Sequence, residues 1–444
     1  MPLQFGSSGI RGRYGDTVTP NTAFELGAIL HGILGPRLAI GNDPRLSGQA
    51  LRAAFVSSAL QMGDEITDYG LIPTPALAYQ ISHTGSHGGV MITASHNPIE
   101  YNGFKIFNEK GEALEDSSIL QSATRTRREL AHEKSSIRDG HPQDYERRLS
   151  SIHLDKKWRI ILDPGNGATS RMAPRIYRNV VPTATAINSH PDGRYPGRGP
   201  EPTRESLTML SRIVSETKAD VGIAFDGDGD RFYIVDERGE CPLQDRILAS
   251  YLSFLSRESK GPFLVPVDAS MAVDEAVARN GARLVRGPVG DAKLLAEMKK
   301  EKASFAGEPS GAWIHAEFHP CPDGLLSGLL YLKQLEQLNL TVSKAVEDIP
   351  EYHMVRKSLA VSKNAPIVEV SSLSEDLQRI IGPEAKTDSR DGIRVSSPDS
   401  WVLVRESGTE PVVRVTAESK KPASVTRIVK DTLELINRVF KGRD

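Results

Sequence analysis

The feature that most narrows the folds open to this chain is Asp226-Gly227-Asp228-Gly229-Asp230-Arg231, set between two strand-like apolar runs, Val221-Gly222-Ile223-Ala224-Phe225 and Phe232-Tyr233-Ile234-Val235. Three carboxylates at i, i+2 and i+4 fall on one side of an extended chain, and like charges so close repel unless a hard cation sits among them. A calcium EF-hand is the competing reading, since Glu237 falls at the twelfth loop position. The sixth position is Arg231 where that loop needs Gly, and the flanks read as strands. The segment therefore reads as a divalent-metal site, Mg²⁺ ahead of Ca²⁺. Magnesium keeps waters and shares its site with phosphate groups, which points to phosphoryl chemistry.

A second turn fits that chemistry. Gly88-Gly89-Val90-Met91-Ile92 reads as a buried strand that breaks at Thr93-Ala94-Ser95-His96-Asn97-Pro98. A serine on a tight turn at a strand end is presented with backbone N–H groups and, here, His96 beside it. Such a turn can hold an anion, so Ser95 reads as a candidate carrier of phosphate. Any Ser-rich turn shares this pattern.

Around these two sites the chain alternates strand and helix, the grammar of parallel or mixed α/β layers. Gly6-Ser7-Ser8-Gly9-Ile10-Arg11-Gly12 is a glycine-rich turn whose Arg11 could reach an anion. Thr19 or Asn21 caps a helix with Ala23, Leu26, Ile29 and Leu30 on one face. Arg37–Gly41 is a strand, Asp43–Gly48 a loop, the following helix runs through Leu60, and a strand begins at Ile66. Asn102-Gly103 reads as a tight turn that delivers Lys105 shortly after Ser95. Residues 112–150 read as polar and helical, with Arg125, Arg127 and Arg128 on a solvated face.

Asp163-Pro164-Gly165-Asn166-Gly167 ends a strand begun at Trp158. It lacks the spacing of a dinucleotide or P-loop fingerprint and is assigned to structure only. Residues 190–203, rich in Pro and Gly, read as a long extended loop. Glu308 and Ser310, on a loop beside Trp313, suit recognition of sugar hydroxyls. Between strands Trp401–Val404 and Val412-Val413, Arg405, Ser407, Gly408 and Thr409, with Arg414 just beyond, make a cradle for a phosphate dianion.

The 444 residues exceed one core and imply three or four domains. A net charge of −2 gives no electrostatic case for nucleic acid or an anionic membrane. No run approaches a membrane span, and the N-terminal stretch lacks a secretory apolar core. Cys241 and Cys321 stand far apart and outside metal-ligand spacing. The expectation is a reduced, cytoplasmic enzyme, monomer or homodimer, with a small-molecule partner.

Thr93–Pro98, Asp226–Arg231, Gly307–Gly311 and Arg405–Pro411 occur in an order and spacing that resembles the α-D-phosphohexomutases, over the whole chain. That superfamily includes phosphoglucomutases, phosphomannomutases and phosphoglucosamine mutases. The resemblance implies a heart-shaped, four-domain α/β architecture, with three related mixed-sheet domains (1–148, 149–245, 246–350) and a TBP-like α+β domain (351–444). It implies a phosphoserine at Ser95, and one Mg²⁺ held by Asp226, Asp228, Asp230 and an oxygen of that phosphoserine. Arg11, Lys105 and Arg231 resemble the basic groups around the transferred phosphate, with His96 beside them. Glu308 and Ser310 resemble the sugar contacts, and Arg405, Ser407, Gly408, Thr409 and Arg414 the loop for the other phosphate. A hexose 6-phosphate would become a 1-phosphate through a 1,6-bisphosphate.

The sequence departs from that pattern at Ala312, where relatives commonly carry His, at Pro309, and at Gly-Ser-Ser-Gly for the usual Gly-Thr-Ser-Gly. The general base is left open between Lys105 and His315. The sugar loop and Cys321-Pro322-Asp323-Gly324 resemble archaeal-type phosphoglucosamine mutases, with phosphomannomutase or phosphoglucomutase as the alternative. A non-catalytic Ca²⁺- or phosphosugar-binding protein is the reading from another class.

Overall fold

The computed structural model describes residues 5–6, 9–114, 135–360, 373–406 and 412–441. Its packing divides into two units, residues 1–247 with 304–348, and residues 248–303 with 349–444.

The first unit is built on two sheets. The larger has seven strands, in the order Phe5–Gly6, Gly9–Arg13, Tyr101–Asn108, Gly88–Ile92, Arg37–Asn42, Glu65–Leu71, Ser136–Asp139. Strands from Gly88–Ile92 through Ser136–Asp139 run parallel, and those on the other side pair antiparallel, so the sheet is mixed. All five residues of Gly88–Ile92 are buried, as expected where both faces of a sheet are covered. Helices Pro20–Leu34 and Gly48–Gln61 close one face through Leu26, Leu30, Leu51 and Phe55 against Leu38, Ile40, Val90 and Ile92. Of the two candidate caps for the first helix, Thr19 serves. Its Oγ1 accepts from Thr22 N at 3.1 Å in a capping box, while Asn21 turns to Glu25.

The second sheet orders Phe232–Val235, Val221–Phe225, Ile160–Asp163, Thr185–Ala186, with the first pair antiparallel and the others parallel. Asp226–Arg231 is the turn of that antiparallel hairpin, so the carboxylates converge through a loop and not through strand pleating. The unit also contains the hairpin of Phe305–Gly307 with Trp313–His315 and the helix Gly324–Leu338, capped by Asp323.

The second unit pairs Phe263–Pro266 parallel to Leu284–Gly287. It also holds a five-stranded, wholly antiparallel sheet in the order His353–Ala360, Val412–Ser419, Ser400–Glu406, Ile393–Ser396, Lys386–Asp388. Helices Ser374–Ile381 and Pro422–Lys441 cover it, burying Leu377, Val425, Ile428 and Ile436 against Val395, Val402, Val404, Val413 and Val415. No helix among the described residues is long and apolar enough to cross a membrane.

Three local expectations change. Asn102-Gly103 lies inside the strand Tyr101–Asn108, not in a turn. Glycine is required there because a Cβ on Gly103 would stand 2.1 Å from Ile10 O on the neighbouring strand. The stretch 112–150 is not continuously helical: Ser136–Asp139 is an edge strand, Gln143–Ser150 a helix, and Arg125, Arg127 and Arg128 lie outside the described residues. Residues 190–203 fold back in successive turns instead of extending, with Tyr195 buried. Gly103→Ala should destabilise the protein by about 2 kcal/mol through the forced strand separation, read as a lower urea midpoint; an unchanged midpoint would show that the strand yields freely.

Candidate active site and metal centre

Asp226, Asp228 and Asp230 are buried, and one carboxylate oxygen from each lies within 4.8 Å of the others. Each is held individually. Asp226 Oδ1 accepts from Gly229 N (3.0 Å) and Arg231 N (3.2 Å), a turn that Gly229 permits at φ 79. Asp228 Oδ2 accepts from Thr74 Oγ1 (2.5 Å) and pairs with Lys105 Nζ at 2.8 Å, and Lys105 also pairs with Asp230. Thr74 N donates to Asp228 O at 2.9 Å, fixing the loop against the start of helix Thr74–His83.

Burial, reinforced by Asp230 and Asp228, pushes Asp226 well above the usual carboxylate range. Burial, the largest influence, acts in the same direction on Asp228, but Lys105, the Thr74 hydroxyl and Arg11 together outweigh it and hold that carboxylate ionised. Asp228 Oδ1 is buried with no hydrogen-bond partner among the described residues. Three buried carboxylates with an oxygen left over fit a hard divalent cation. The donor set has neither the nitrogen nor the sulfur that softer metals select.

Ser95 meets this triad. Its Oγ donates to Asp226 Oδ2 at 2.6 Å and lies 3.3 Å from His96 Nδ1. Two residues 131 positions apart thus share one hydrogen bond. Ser95 has φ 50, in the left-handed region, at a cost of about 1–2 kcal/mol for a residue with a Cβ. Gly227 lets this turn close, since a Cβ there would lie 2.4 Å from Ser95 O.

Arg11, Lys105 and Arg231 surround the same point. Arg11 Nη1 donates to Asn97 Oδ1 at 3.1 Å. The charges of Arg231 and then, after burial, of Arg11 push the His96 imidazole down to about 2, with Lys105 adding to them, so it is neutral across the physiological range. The sugar-type loop is stitched to the metal loop: Arg231 and Ala312 form a β-bridge and Phe232 N donates to Gly311 O at 3.3 Å. Glu308 is buried and accepts from Ser310 Oγ at 3.0 Å. His315, by contrast, is buried in the core, 3.0 Å from Ser327 Oγ, and burial lowers it to about 3.

Arg405 and Arg414 belong to the second unit, directly opposite each other on paired strands. Arg405 Nη1 pairs with Asp391 at 3.0 Å, and its Nε has no partner among the described residues. Like charges across a strand pair repel, and the Asp391 carboxylate offsets the charge of Arg405. Ser407, Gly408 and Thr409 lie outside the described residues.

Sequence reasoning passed over Asp43, Arg45 and Tyr195, which buttress the serine turn. One signal was available: Asp43–Gly48 follows a parallel strand at the same sheet end as Thr93–Pro98, where α/β proteins gather their functional loops.

Four domain profiles of one family match in order: "Phosphoglucomutase/phosphomannomutase, alpha/beta/alpha domain I" over residues 2–130, domain II over 144–239, domain III over 244–352, and the C-terminal domain over 354–435. A Methanothermobacter thermautotrophicus protein described as "Probable phosphoglucosamine mutase" is 37% identical, covering 94% of each chain. The crystal structure of a phosphoglucomutase/phosphomannomutase family protein from Burkholderia thailandensis superposes with a TM-score of 0.85 at 25% identity, covering 98% of this chain and 97% of that one. Aspergillus fumigatus N-acetylphosphoglucosamine mutase, solved in complex with GlcNAc-6P and magnesium, shares the fold with a TM-score of 0.63 at 16% identity, covering 97% and 96%.

Asp228→Asn should weaken Mg²⁺ binding at least about tenfold by titration calorimetry, and wild-type affinity in that variant would exclude the triad as the cation site.

Proposed function

The chain belongs to the α-D-phosphohexomutase superfamily, and from that membership we propose that it interconverts a hexose 6-phosphate and the hexose 1-phosphate through a phosphoserine at Ser95 and a bound 1,6-bisphosphate. Glucosamine 6-phosphate and glucosamine 1-phosphate are the proposed pair, supported by the name and 37% identity of the Methanothermobacter relative. The observation that carries the reading is the 2.6 Å contact of Ser95 Oγ with Asp226, which brings a nucleophile into a buried acidic triad. The four domains proposed with it span 1–148, 149–245, 246–350 and 351–444.

Phosphoryl transfer needs positioning and neutralisation of charge more than covalent chemistry. In the first half-reaction the bond from phosphorus to Ser95 Oγ breaks as a bond forms to the sugar hydroxyl. The hydroxyl loses its proton, and the serine oxygen regains one. In the second half-reaction the other phosphate of the bisphosphate returns to Ser95, with the proton movements reversed. Mg²⁺ held by Asp226, Asp228 and Asp230 would supply Lewis-acid stabilisation of charge on the transferring group.

Arg11, Lys105 and Arg231 offset the roughly −1.5 to −2 charge of a serine phosphate. Lys105, donating to two carboxylates, has no lone pair to offer as a base while it does so. His315 is committed to Ser327 in the core. His96 lies 3.3 Å from Ser95 Oγ, but Arg231, burial and Arg11 lower it to about 2, which makes its neutral imidazole a weak proton acceptor. Glu308 and Ser310 are the proposed contacts to sugar hydroxyls. Arg405 and Arg414, with Ser407, Gly408 and Thr409, are the proposed binding residues for the phosphate not in transfer.

Ser95→Ala should abolish turnover with the fold intact, and intact mass should lose the phosphoryl increment carried by part of the wild-type population. A phosphoryl-bearing Ser95→Ala protein would refute the assignment, and a wild-type chain that never carries phosphoryl would favour a binding protein. Arg405→Ala should raise KM about tenfold with a smaller change in kcat, and an unchanged KM would leave that loop without a phosphate role. Of glucosamine, mannose and glucose 1-phosphates, the first should give the highest kcat/KM.

A further inference from the structure

Arg45 lies outside every motif assigned above, yet it is 2% exposed and all five N–H groups of its guanidinium have acceptors. Nε donates to Asp43 Oδ2 at 3.0 Å. One Nη donates to Pro98 O (2.6 Å) and Tyr101 O (2.9 Å), the other to Ser95 O (2.8 Å) and Asn97 O (2.7 Å). Four carbonyls of the single stretch Ser95–Tyr101 thus converge on one buried cation. A lysine would offer three donors from one point and could not satisfy that planar spread of acceptors.

The hydrogen bonds close into a ring around the serine. Ser95 N donates to Thr93 Oγ1 at 2.9 Å, and Thr93 Oγ1 donates to Asp43 Oδ2 at 2.6 Å. Asp43 accepts from Arg45, and Arg45 returns to Ser95 O. The amide and the carbonyl of Ser95 are therefore both held, and its side chain is the part left to meet Asp226. The segment 190–203 covers the ring from outside. The Tyr195 ring centre is 5.6 Å from the guanidinium carbon, and Gly193 passes so close to Pro44 that a Cβ would stand 2.2 Å from its carbonyl oxygen.

We propose that Arg45 is the positioning residue of the phosphoryl-carrying serine, clamping the backbone of Ser95 through its own carbonyl contact and through Asp43 and Thr93 so that Oγ is presented to the acidic triad in one geometry. This rests on the mutase reading.

The test follows Ser95 phosphorylation in dephosphorylated protein mixed with glucose 1,6-bisphosphate, quenched and read by intact mass. Melting midpoints and steady-state kcat and KM are measured in parallel, all well below the melting temperature. Arg45→Lys should take up phosphoryl about 100-fold more slowly than wild type, with KM for the sugar phosphate within about threefold, because a displacement near 1 Å costs about that factor. Arg45→Gln should be slower still. A folded Arg45→Lys that phosphorylates at the wild-type rate, even with a lowered melting midpoint, makes Arg45 a structural residue only and overturns the proposal. If the Arg45 variants do not fold, Thr93→Val, which keeps the side-chain shape and opens the ring at another link, decides: slowed uptake supports the clamp, and wild-type uptake overturns it. Wild-type protein that gains no phosphoryl on Ser95 overturns the mutase reading first, and the clamp with it.

Discussion

Three carboxylates withdrawn from water within 4.8 Å of one another are the constraint that the surrounding structure answers. Each added negative charge in a poorly polarisable interior raises the cost of the next. The answers come from distant segments. They are the Lys105 ammonium from the first sheet, the Thr74 hydroxyl from a helix start, the Gly229 and Arg231 amides from the loop itself, and the Ser95 hydroxyl. Because these groups converge only when both sheets of the first unit are formed, folding and assembly of the site are one event. An asymmetry follows from the same contacts. Asp228, beside Lys105, stays charged, whereas burial and its two acidic neighbours drive Asp226, beside the serine hydroxyl, toward protonation.

Legibility in the sequence divided along physical lines. The Asp226–Arg231 turn and its two strands were readable because period, burial and charge all sit within fifteen consecutive residues, and the strands fall at Val221–Phe225 and Phe232–Val235. Ser95 was readable for the same reason, as a break after an apolar run. Arg45 was not, because all but one of its guanidinium acceptors are backbone carbonyls 50 to 56 positions away, and carbonyls leave no mark in a sequence. Gly103 was misread because its small size answers to Ile10 on the next strand, not to a turn. The segment 190–203 was misread for a related reason. Its Pro and Gly content signals turns, but only the tertiary contacts of Gly193, Tyr195 and Arg198 show which surface those turns cover. Arg198 is the firmest of these, gripping Asp163 through Nε at 2.9 Å at the end of the strand Ile160–Asp163. The turn assigned to structure alone is thus the anchor of that cover.

Ala312 changes meaning in this light. On the mutase reading, a side chain that moves a proton is commonly found there in relatives. In this chain the position acts through its backbone, which bridges Arg231 and accepts from Glu308 N at 3.0 Å. Those bonds hold the loop of Glu308 and Ser310 onto the metal loop whatever the side chain, so loss of the imidazole leaves the scaffold whole and removes one proton acceptor.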